Sequence, residues 1–241
     1  MDSCPLFCEG SNCCFSPGKK GNPVMVILES PGNAEVELNR PAAGRTGANL
    51  CRLFKDMQEN CCLNSKSHFC IRKVSLLNAK TKHGHVIKLN DRMLEMMTRK
   101  HYVLCFGREA VKRFRIIYKK HKIDFLRAAA IVFCFPHIGT RGLSVLHDAN
   151  KLNLTQQFKT GNENEPRDDR ESRILRSIAR FIESKLKTDK HCCYAVQDFL
   201  EDQGLIWRPN SNPDSNPGEW TSRKYLNPVN KIQSNRTDTN K

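Results

Sequence analysis

The 241-residue chain lacks a hydrophobic run long enough to cross a membrane. Its longest apolar stretch, residues 128–135, has eight residues, whereas a membrane-spanning helix needs about 20. The sequence does not open with a basic stretch followed by an apolar one, so we expect no secretory signal. It also lacks a Gly-x-x-x-x-Gly-Lys motif, which argues against a P-loop nucleotide-binding protein.

Acidic side chains are scarce in one part of the chain. Residues 40–130 contain 21 Lys and Arg but 6 Asp and Glu, while the remainder has 19 of each, so this segment carries the whole net charge of +15. Such a concentration of positive charge is typical of proteins that bind polyanions, above all nucleic acids. The alternative is a solvated basic surface that keeps the protein soluble.

Cysteine, by contrast, is abundant, with 12 residues. A chain of this length can build a core without disulfides, and with no secretory signal this favours a reduced, cytoplasmic protein. Four cysteines near the N-terminus are candidate ligands of a structural zinc or iron–sulfur cluster, namely Cys4, Cys8, Cys13 and Cys14. Their spacing matches no standard zinc motif, so free thiols are the alternative. We expect no cofactor to be required for the chemistry.

Four short apolar runs predict the strands of a central sheet, at residues 24–28, 74–77, 102–106 and 131–135. Each run is apolar almost throughout, which is typical of strands buried on both faces of a parallel sheet. Helix-like stretches alternate with the runs at residues 49–59, 91–99 and 109–126, and an amphipathic pattern from Ile174 to Leu186 predicts a further helix. The order predicts an α/β domain in three layers, α/β/α, around a four-stranded parallel sheet.

Composition divides the chain into three parts. Residues 1–20 are rich in cysteine, residues 21–187 contain the predicted α/β domain, and residues 188–241 form a C-terminal extension. The end of that extension is rich in Asn, Pro and Ser, so we expect it to be disordered. We expect a monomer and infer no protein partner.

Polar residues follow the predicted strands, where parallel α/β sheets bind their ligands. Glu29 follows the first strand, Asn78 the second, Gly107 the third and His137 the fourth. We therefore expect a carboxylate, an amide and an imidazole to converge on one edge of the sheet. Each has a structural alternative, because carboxylates favour helix N-termini, asparagines favour turns and caps, and a single histidine is often structural.

Residues 29–50 hold the most specific pattern of the chain. It consists of Glu29, Pro31, Gly32, Glu35, Arg40, Pro41, Gly44, Arg45, Gly47 and Leu50. This pattern resembles the first motif of the uracil-DNA glycosylase superfamily, most closely that of its family 4. The loop His-Ile-Gly-Thr-Arg-Gly-Leu, which begins at His137, is similar to the second motif of the superfamily, usually His-Pro-Ser. The resemblance covers roughly residues 20–187.

The resemblance implies a uracil-DNA glycosylase-like fold and a DNA glycosylase that flips one base out of DNA. Hydrolysis of the N-glycosidic bond builds positive charge on the sugar and negative charge on the departing base. Glu29 would stabilise the sugar cation and orient or deprotonate a water, while His137 would donate to the base. No lysine is placed as a Schiff-base nucleophile, so we expect an abasic site without strand cleavage.

The resemblance also implies a base pocket formed by Pro31, Ala42, Ala43 and Asn78. Asn78 matches the base-reading asparagine of the family, whose amide both donates and accepts hydrogen bonds. Ala42 stands where the family has a Phe that stacks on uracil. We therefore expect a pocket for a bulkier base, such as the glucosylated hydroxymethylcytosine of some phage DNA, whose removal would be anti-phage defence.

Contacts with the DNA backbone are implied for Gly32, Gly44 and Arg45, because small residues allow close approach and Arg45 supplies charge. Arg141 and Leu143 are candidates to fill the gap that the flipped base leaves, unless they belong to an ordinary surface loop.

Two alternatives to the modified-base prediction stay open. One is uracil excision in DNA repair, and the other is a catalytically inactive DNA-binding module. The chain also departs from family 4 in its cysteines. It has none between Asn78 and Cys105, so the iron–sulfur cluster of that family cannot form in the same way.

Overall fold

The structure, a computed structural model, describes residues 12–60, 68–139, 143, 167–188 and 193–194. Six strands lie in this part of the chain: β1 (Phe15–Ser16), β2 (Val24–Leu28), β3 (Ser75–Asn78), β4 (Tyr102–Phe106), β5 (Ile131–Phe135) and β6 (Cys193–Tyr194). The helices described are α1 (Asn33–Glu37), α2 (Gly44–Asn60), α3 (Asp91–Thr98), α4 (Arg108–Lys120), α5 (Lys122–Arg127) and α6 (Arg167–Thr188).

The strands form one six-stranded sheet in the order β1-β3-β2-β4-β5-β6. All neighbours pair in parallel except β1, which is antiparallel to β3. The predicted α/β class is confirmed, but the predicted count of four strands is wrong. The two additional strands, β1 and β6, are two residues long and lie outside residues 21–187. Strands this short show no periodicity that a sequence reading could detect.

The central strands are apolar throughout because helices cover both faces of the sheet. In β2, Val24 and Leu28 belong to a hydrophobic cluster with α2 and α6. Met25 and Ile27 point the other way, into a second cluster that includes residues of α3, α4 and α5. Full burial of one such side chain contributes about 1.5–3 kcal/mol, so both helical layers stabilise the sheet.

Several helices differ from their predicted bounds, and the helix expected from Ile174 to Leu186 spans Arg167–Thr188. The helix expected at residues 49–59 starts five residues earlier, at Gly44. The helix expected at residues 109–126 is broken at His121, which has φ −120° and ψ 31° and separates α4 from α5. Neither Gly nor Pro marks that break in the sequence. No helix in the described part of the chain is both long and apolar enough to span a bilayer.

Candidate active site

The parallel strands bring the residues that follow them to one edge of the sheet, which we call the carboxyl edge. Asn78 ends β3, Glu29 follows β2, Gly107 follows β4, and His137 comes two residues after β5. The strand order places Glu29 between Asn78 and Gly107, with His137 beyond. Neighbouring strands lie about 4.8 Å apart, so the backbones of Glu29 and His137 are separated by about 10 Å.

The Glu29 side chain rests on Gly107 and reaches the start of α4. Its Oε1 accepts a hydrogen bond from the backbone N–H of Glu109 at 3.3 Å. A Cβ on Gly107, whose φ is +97°, would lie 2.5 Å from that same oxygen. The positive end of the α4 dipole favours the carboxylate here. No described residue bonds to Oε2, so one carboxylate oxygen is left for a ligand or water.

His137 is held in one tautomer by its own loop. Its Nδ1 accepts a hydrogen bond from the backbone N–H of Gly139 at 2.9 Å. A backbone N–H can only donate, so the neutral ring must carry its proton on Nε2. A Cβ on Gly139 would lie 2.7 Å from Cε1 of His137, so this close approach requires glycine. The result is an imidazole that presents a donor on its far side.

Glu35 stabilises the loop that follows α1 through hydrogen bonds to backbone N–H groups. Its Oε2 accepts the N–H of Gly32 at 2.7 Å, and its Oε1 accepts the N–H of Ala42 at 2.6 Å. The side chain is 4% exposed. Burial raises the pKa of Glu35, and these two hydrogen bonds only partly offset that effect. The sequence analysis matched Glu35 to the family motif but assigned it no role. Its position in that motif was the one indication that it matters.

The loop between Glu35 and α2 has an unusual backbone. Ala42 has φ +55° and Gly44 has φ +69°, a left-handed conformation that costs an L-residue about 1–2 kcal/mol. A Cβ on Gly47 would overlap the carbonyl oxygen of Ala42 and lie 2.7 Å from its carbonyl carbon. Ala42 and Ala43 are both buried, and Ala42 joins the cluster formed with α2 and α6.

The other pocket and backbone candidates of this segment lie nearby. Pro31 is buried, whereas Gly32 and Gly44 are exposed. Exposed glycines on the carboxyl edge can approach a phosphate closely, as the sequence reading expected of them.

Arg45 is part of a structural network. Its Nη2 lies 2.7 Å from Oε2 of the buried Glu171 on α6, and it also pairs with Asp168. Asn49 Nδ2 donates to the same Glu171 oxygen at 3.2 Å and to the carbonyl of Ile138 at 2.9 Å. Two carboxylates therefore balance the charge that the sequence reading assigned to DNA. The network joins α2 and α6 to the loop after β5, and neither Asn49 nor Glu171 gave a signal in the sequence.

Leu143, one of the two gap-filling candidates, is buried in the core. Leu143 is 1% exposed and packs in the cluster with α2 and α6. A side chain in the core cannot enter DNA without leaving it, so the apolar character of Leu143 reflects packing, and the expectation of a wedge is corrected. Arg141 lies outside the described residues.

The cysteine candidates are only partly described. Cys4 and Cys8 lie outside the described residues, and the Sγ atoms of Cys13 and Cys14 are 3.7 Å apart. Burial, together with the contact to Cys13, raises the pKa of Cys14 to about 12, which opposes the thiolate that a metal requires. Within residues 12–60 and the other described ranges, no group of three possible ligands could hold a metal. Cys13 and Cys14 alone therefore do not fit a metal site.

Asn78 is bound by the N-terminal segment. Its Nδ2 donates to the carbonyl of Cys13 at 2.8 Å and lies 3.5 Å from Oε1 of Glu35. Its backbone N–H donates to the carbonyl of Cys14 at 2.7 Å. Its Oδ1 is buried and receives no hydrogen bond from any described residue. The amide thus presents only an unpaired acceptor.

Two lysines converge on Glu109, whose backbone N–H binds Glu29. Lys80 follows β3 and lies 2.8 Å from a carboxylate oxygen of Glu109, while Lys112 of α4 lies 3.2 Å from the other oxygen. Beyond Lys80, an exposed turn closed by the N–H of Thr81 and the carbonyl of His85 carries further basic groups. Because β3 and β4 border β2, these basic groups lie on the strands next to the one that Glu29 follows.

A groove of about 610 Å³ lies away from these residues, between α3 and α5. It opens beside the residues that lead into β4 and β5, at the opposite, amino edge of the sheet. Its charged lining mixes both signs, with Asp91, Glu95, Arg99, Asp124 and Arg127. A polyanion has no preferred place in such a mixture of charges.

No protein-family model matches this chain, and a search of curated proteins also finds no match. The function must therefore be argued from the residues at the carboxyl edge.

Proposed function

We propose that the protein is a monofunctional DNA glycosylase with a uracil-DNA glycosylase-like fold, which hydrolyses the bond between a modified cytosine and its deoxyribose. One observation carries the proposal. A carboxylate whose Oε2 is bonded by no described residue and an imidazole with its proton on Nε2 follow strands of the same edge of the sheet, whose spacing places the two backbones about 10 Å apart. A nucleoside bound at this edge would have Glu29 on one side and His137 on the other.

The chemistry follows from the charges that develop as the glycosidic bond breaks. The electron pair of the bond leaves with the base, and the sugar acquires oxocarbenium character. The Glu29 carboxylate stabilises that cation and accepts a proton from the attacking water, whose oxygen bonds to the sugar C1′. His137 donates a hydrogen bond from Nε2 to an oxygen of the departing base, where negative charge accumulates.

The positive groups beside Glu29 would bind the DNA backbone. Among the described residues, Lys80 and Lys112 share a single acidic partner, Glu109, so this triad keeps a net positive charge. Phosphate contacts of this kind position the duplex without reading its sequence. Arg45 has no part in this step, since its two carboxylate partners already balance its charge.

The substrate class is proposed on the small residue at position 42. Ala42 takes up less room than the stacking Phe of the resembling family, which supports a base with a bulky 5-substituent such as glucosylated hydroxymethylcytosine. Excision of such bases would be anti-phage defence by a monomeric protein in the cytoplasm. Uracil excision in repair is the conservative alternative.

Two synthetic DNAs test the proposal, one with uracil and the other with glucosylated hydroxymethylcytosine at a single site. We expect alkali-labile abasic sites in the second DNA, and a loss of about 10²-fold or more in rate for Glu29→Gln or His137→Ala. The matched control is Glu37→Gln, which changes an exposed carboxylate at the end of α1.

Each other outcome has a definite meaning. Excision of uracil alone would contradict the proposed modified-cytosine substrate but would still support glycosylase activity. Binding of both DNAs with no excision would favour the inactive DNA-binding module. Undiminished activity of Glu29→Gln would refute the mechanism.

A further inference from the structure

Asn78 is the one predicted base-reading residue whose hydrogen-bonding groups the structure accounts for atom by atom. We infer that Asn78 reads the flipped base through Oδ1 as an acceptor, and that the enzyme therefore selects pyrimidines with an amino group at position 4. This inference rests on the proposed glycosylase function. It concerns which atom of the base is recognised, and so it discriminates cytosine-type from uracil-type substrates.

The donor side of Asn78 is already engaged. Nδ2 carries two protons, and the acceptors beside it are the Cys13 carbonyl at 2.8 Å and Oε1 of Glu35 at 3.5 Å. Rotating the amide by 180° would bring Oδ1 against these two acceptors, where lone pairs would repel one another. The orientation of the carboxamide is therefore fixed by its neighbours.

Within the described part of the chain, the acceptor side of Asn78 has no hydrogen-bond partner. The residue is 0% exposed, and no donor in the described part of the chain reaches Oδ1. A buried carbonyl without a hydrogen bond is costly, so a ligand that brings an N–H gains more here than at a solvated oxygen. On the Nδ2 side the two neighbouring groups, the Cys13 carbonyl and the Glu35 carboxylate, are both acceptors.

The two kinds of pyrimidine differ in what they offer to such a site. Cytosine carries an amino group at position 4, which donates one proton to Oδ1 and has a second for another acceptor. Uracil carries a carbonyl at the same position, which would face Oδ1 as a second acceptor. If uracil moved to donate its N3–H instead, its 4-oxygen would be left without a donor, since Nδ2 is engaged.

The preference for a 4-amino group is tested by comparing 5-hydroxymethylcytosine with 5-hydroxymethyluracil in the same DNA sequence. These bases share the 5-substituent and differ at position 4 and in the N3 proton that goes with it. We expect kcat/KM to favour the cytosine form by about tenfold or more, the effect of one unpaired buried polar group. Binding is measured in parallel on 2′-fluoro versions of both DNAs, whose fluorine disfavours the sugar cation and so prevents cleavage.

The binding arm separates failure of this inference from failure of the proposed function. Equal or reversed preference in both the kinetic and the binding measurement would overturn the role of Asn78. Excision of either base would still support the proposed glycosylase activity. Absence of excision with every DNA would refute the glycosylase, and the Kd ratio would still test the preference for an amino group. Asn78→Leu, with its fold checked by circular dichroism, should bring the ratio close to one, and the wild-type ratio decides the matter if that variant does not fold.

Discussion

The glycines of the carboxyl edge and those of the outer turns serve different purposes. Gly21 and Gly84 have φ of +78° and +81°, and a Cβ on either would meet no atom of the described residues within 4 Å. At Gly47, Gly107 and Gly139 a Cβ would meet other residues within 3 Å, and two of these contacts are with the side chains of Glu29 and His137. The outer turns need glycine for its backbone freedom, whereas the carboxyl edge needs it for close approach. The packing of the site can therefore be tested separately from backbone strain.

The largest effect is expected for Gly47→Ala. Alanine normally stabilises a helix interior relative to glycine by about 1 kcal/mol, but here its methyl group would overlap the Ala42 carbonyl. We expect the free energy of unfolding to fall by about 3–5 kcal/mol, measured by urea denaturation. The open-turn control, Gly84→Ala, should lose about 1–2 kcal/mol from its left-handed backbone alone. A Gly47→Ala protein as stable as the control would mean that the loop before α2 does not lie against the helix.

Gly107→Ala tests whether the position of the Glu29 carboxyl controls the excision rate. The added methyl group would displace the Glu29 carboxyl from the start of α4. We expect the excision rate to fall about 10²-fold, because a small misplacement of a catalytic group is costly. Gly21→Ala carries a similar positive φ far from Glu29 and should leave the rate within about twofold. Equal losses in the two variants would show that backbone strain, not the position of Glu29, governs activity.

Glu35→Gln is expected to have the next largest effect. Both oxygens of Glu35 accept backbone N–H groups, and glutamine would turn its amide nitrogen toward one of them. The free energy of unfolding should fall by about 1–3 kcal/mol even though a buried charge is removed. Glu37→Gln, on the same helix and exposed, should change it by less than about 0.5 kcal/mol. A stabilised Glu35→Gln protein would show that desolvation of the carboxylate outweighs its hydrogen bonds.

A smaller effect, at the amino edge, tests a region without a role in the site. Lys100 is buried before β4, and burial lowers its pKa from its ordinary 10.5 to about 8. Between these pH values the folded protein has released the proton that the unfolded chain still binds, so the free energy of unfolding rises with pH. The rise should be roughly 1–3 kcal/mol.

The comparison protein for Lys100 is Lys100→Met, which has no such titration. The free energy of unfolding of both proteins is measured between pH 8 and 10.5. The difference between the two pH profiles gives the contribution of Lys100, since both proteins share all other titrating groups. Identical profiles would contradict the assignment. Excision rates of folded Lys100→Met should match the wild type, since the one hydrogen bond of the lysine to the described residues goes to the Asn22 carbonyl.

The sequence by itself determined the central sheet. Three of its four apolar runs coincide with β2, β4 and β5, because a strand covered by helices on both faces must be apolar at every position. It also determined that Glu29, Asn78 and His137 share an edge, since parallel strands end on the same side. Both inferences depend on local composition and chain direction, which are known from the sequence alone.

Only the tertiary structure decided what these side chains touch. Arg45 was read as a DNA contact, but it pairs with Glu171, 126 residues away on α6. Leu143 was read as a wedge, but it packs in the core. Asn78 has its donor engaged by Cys13, 65 residues before it, which changes the kind of base it can read. Hydrogen bonds and ion pairs last only within a few ångströms, and the chain brings such distant residues together only when it folds.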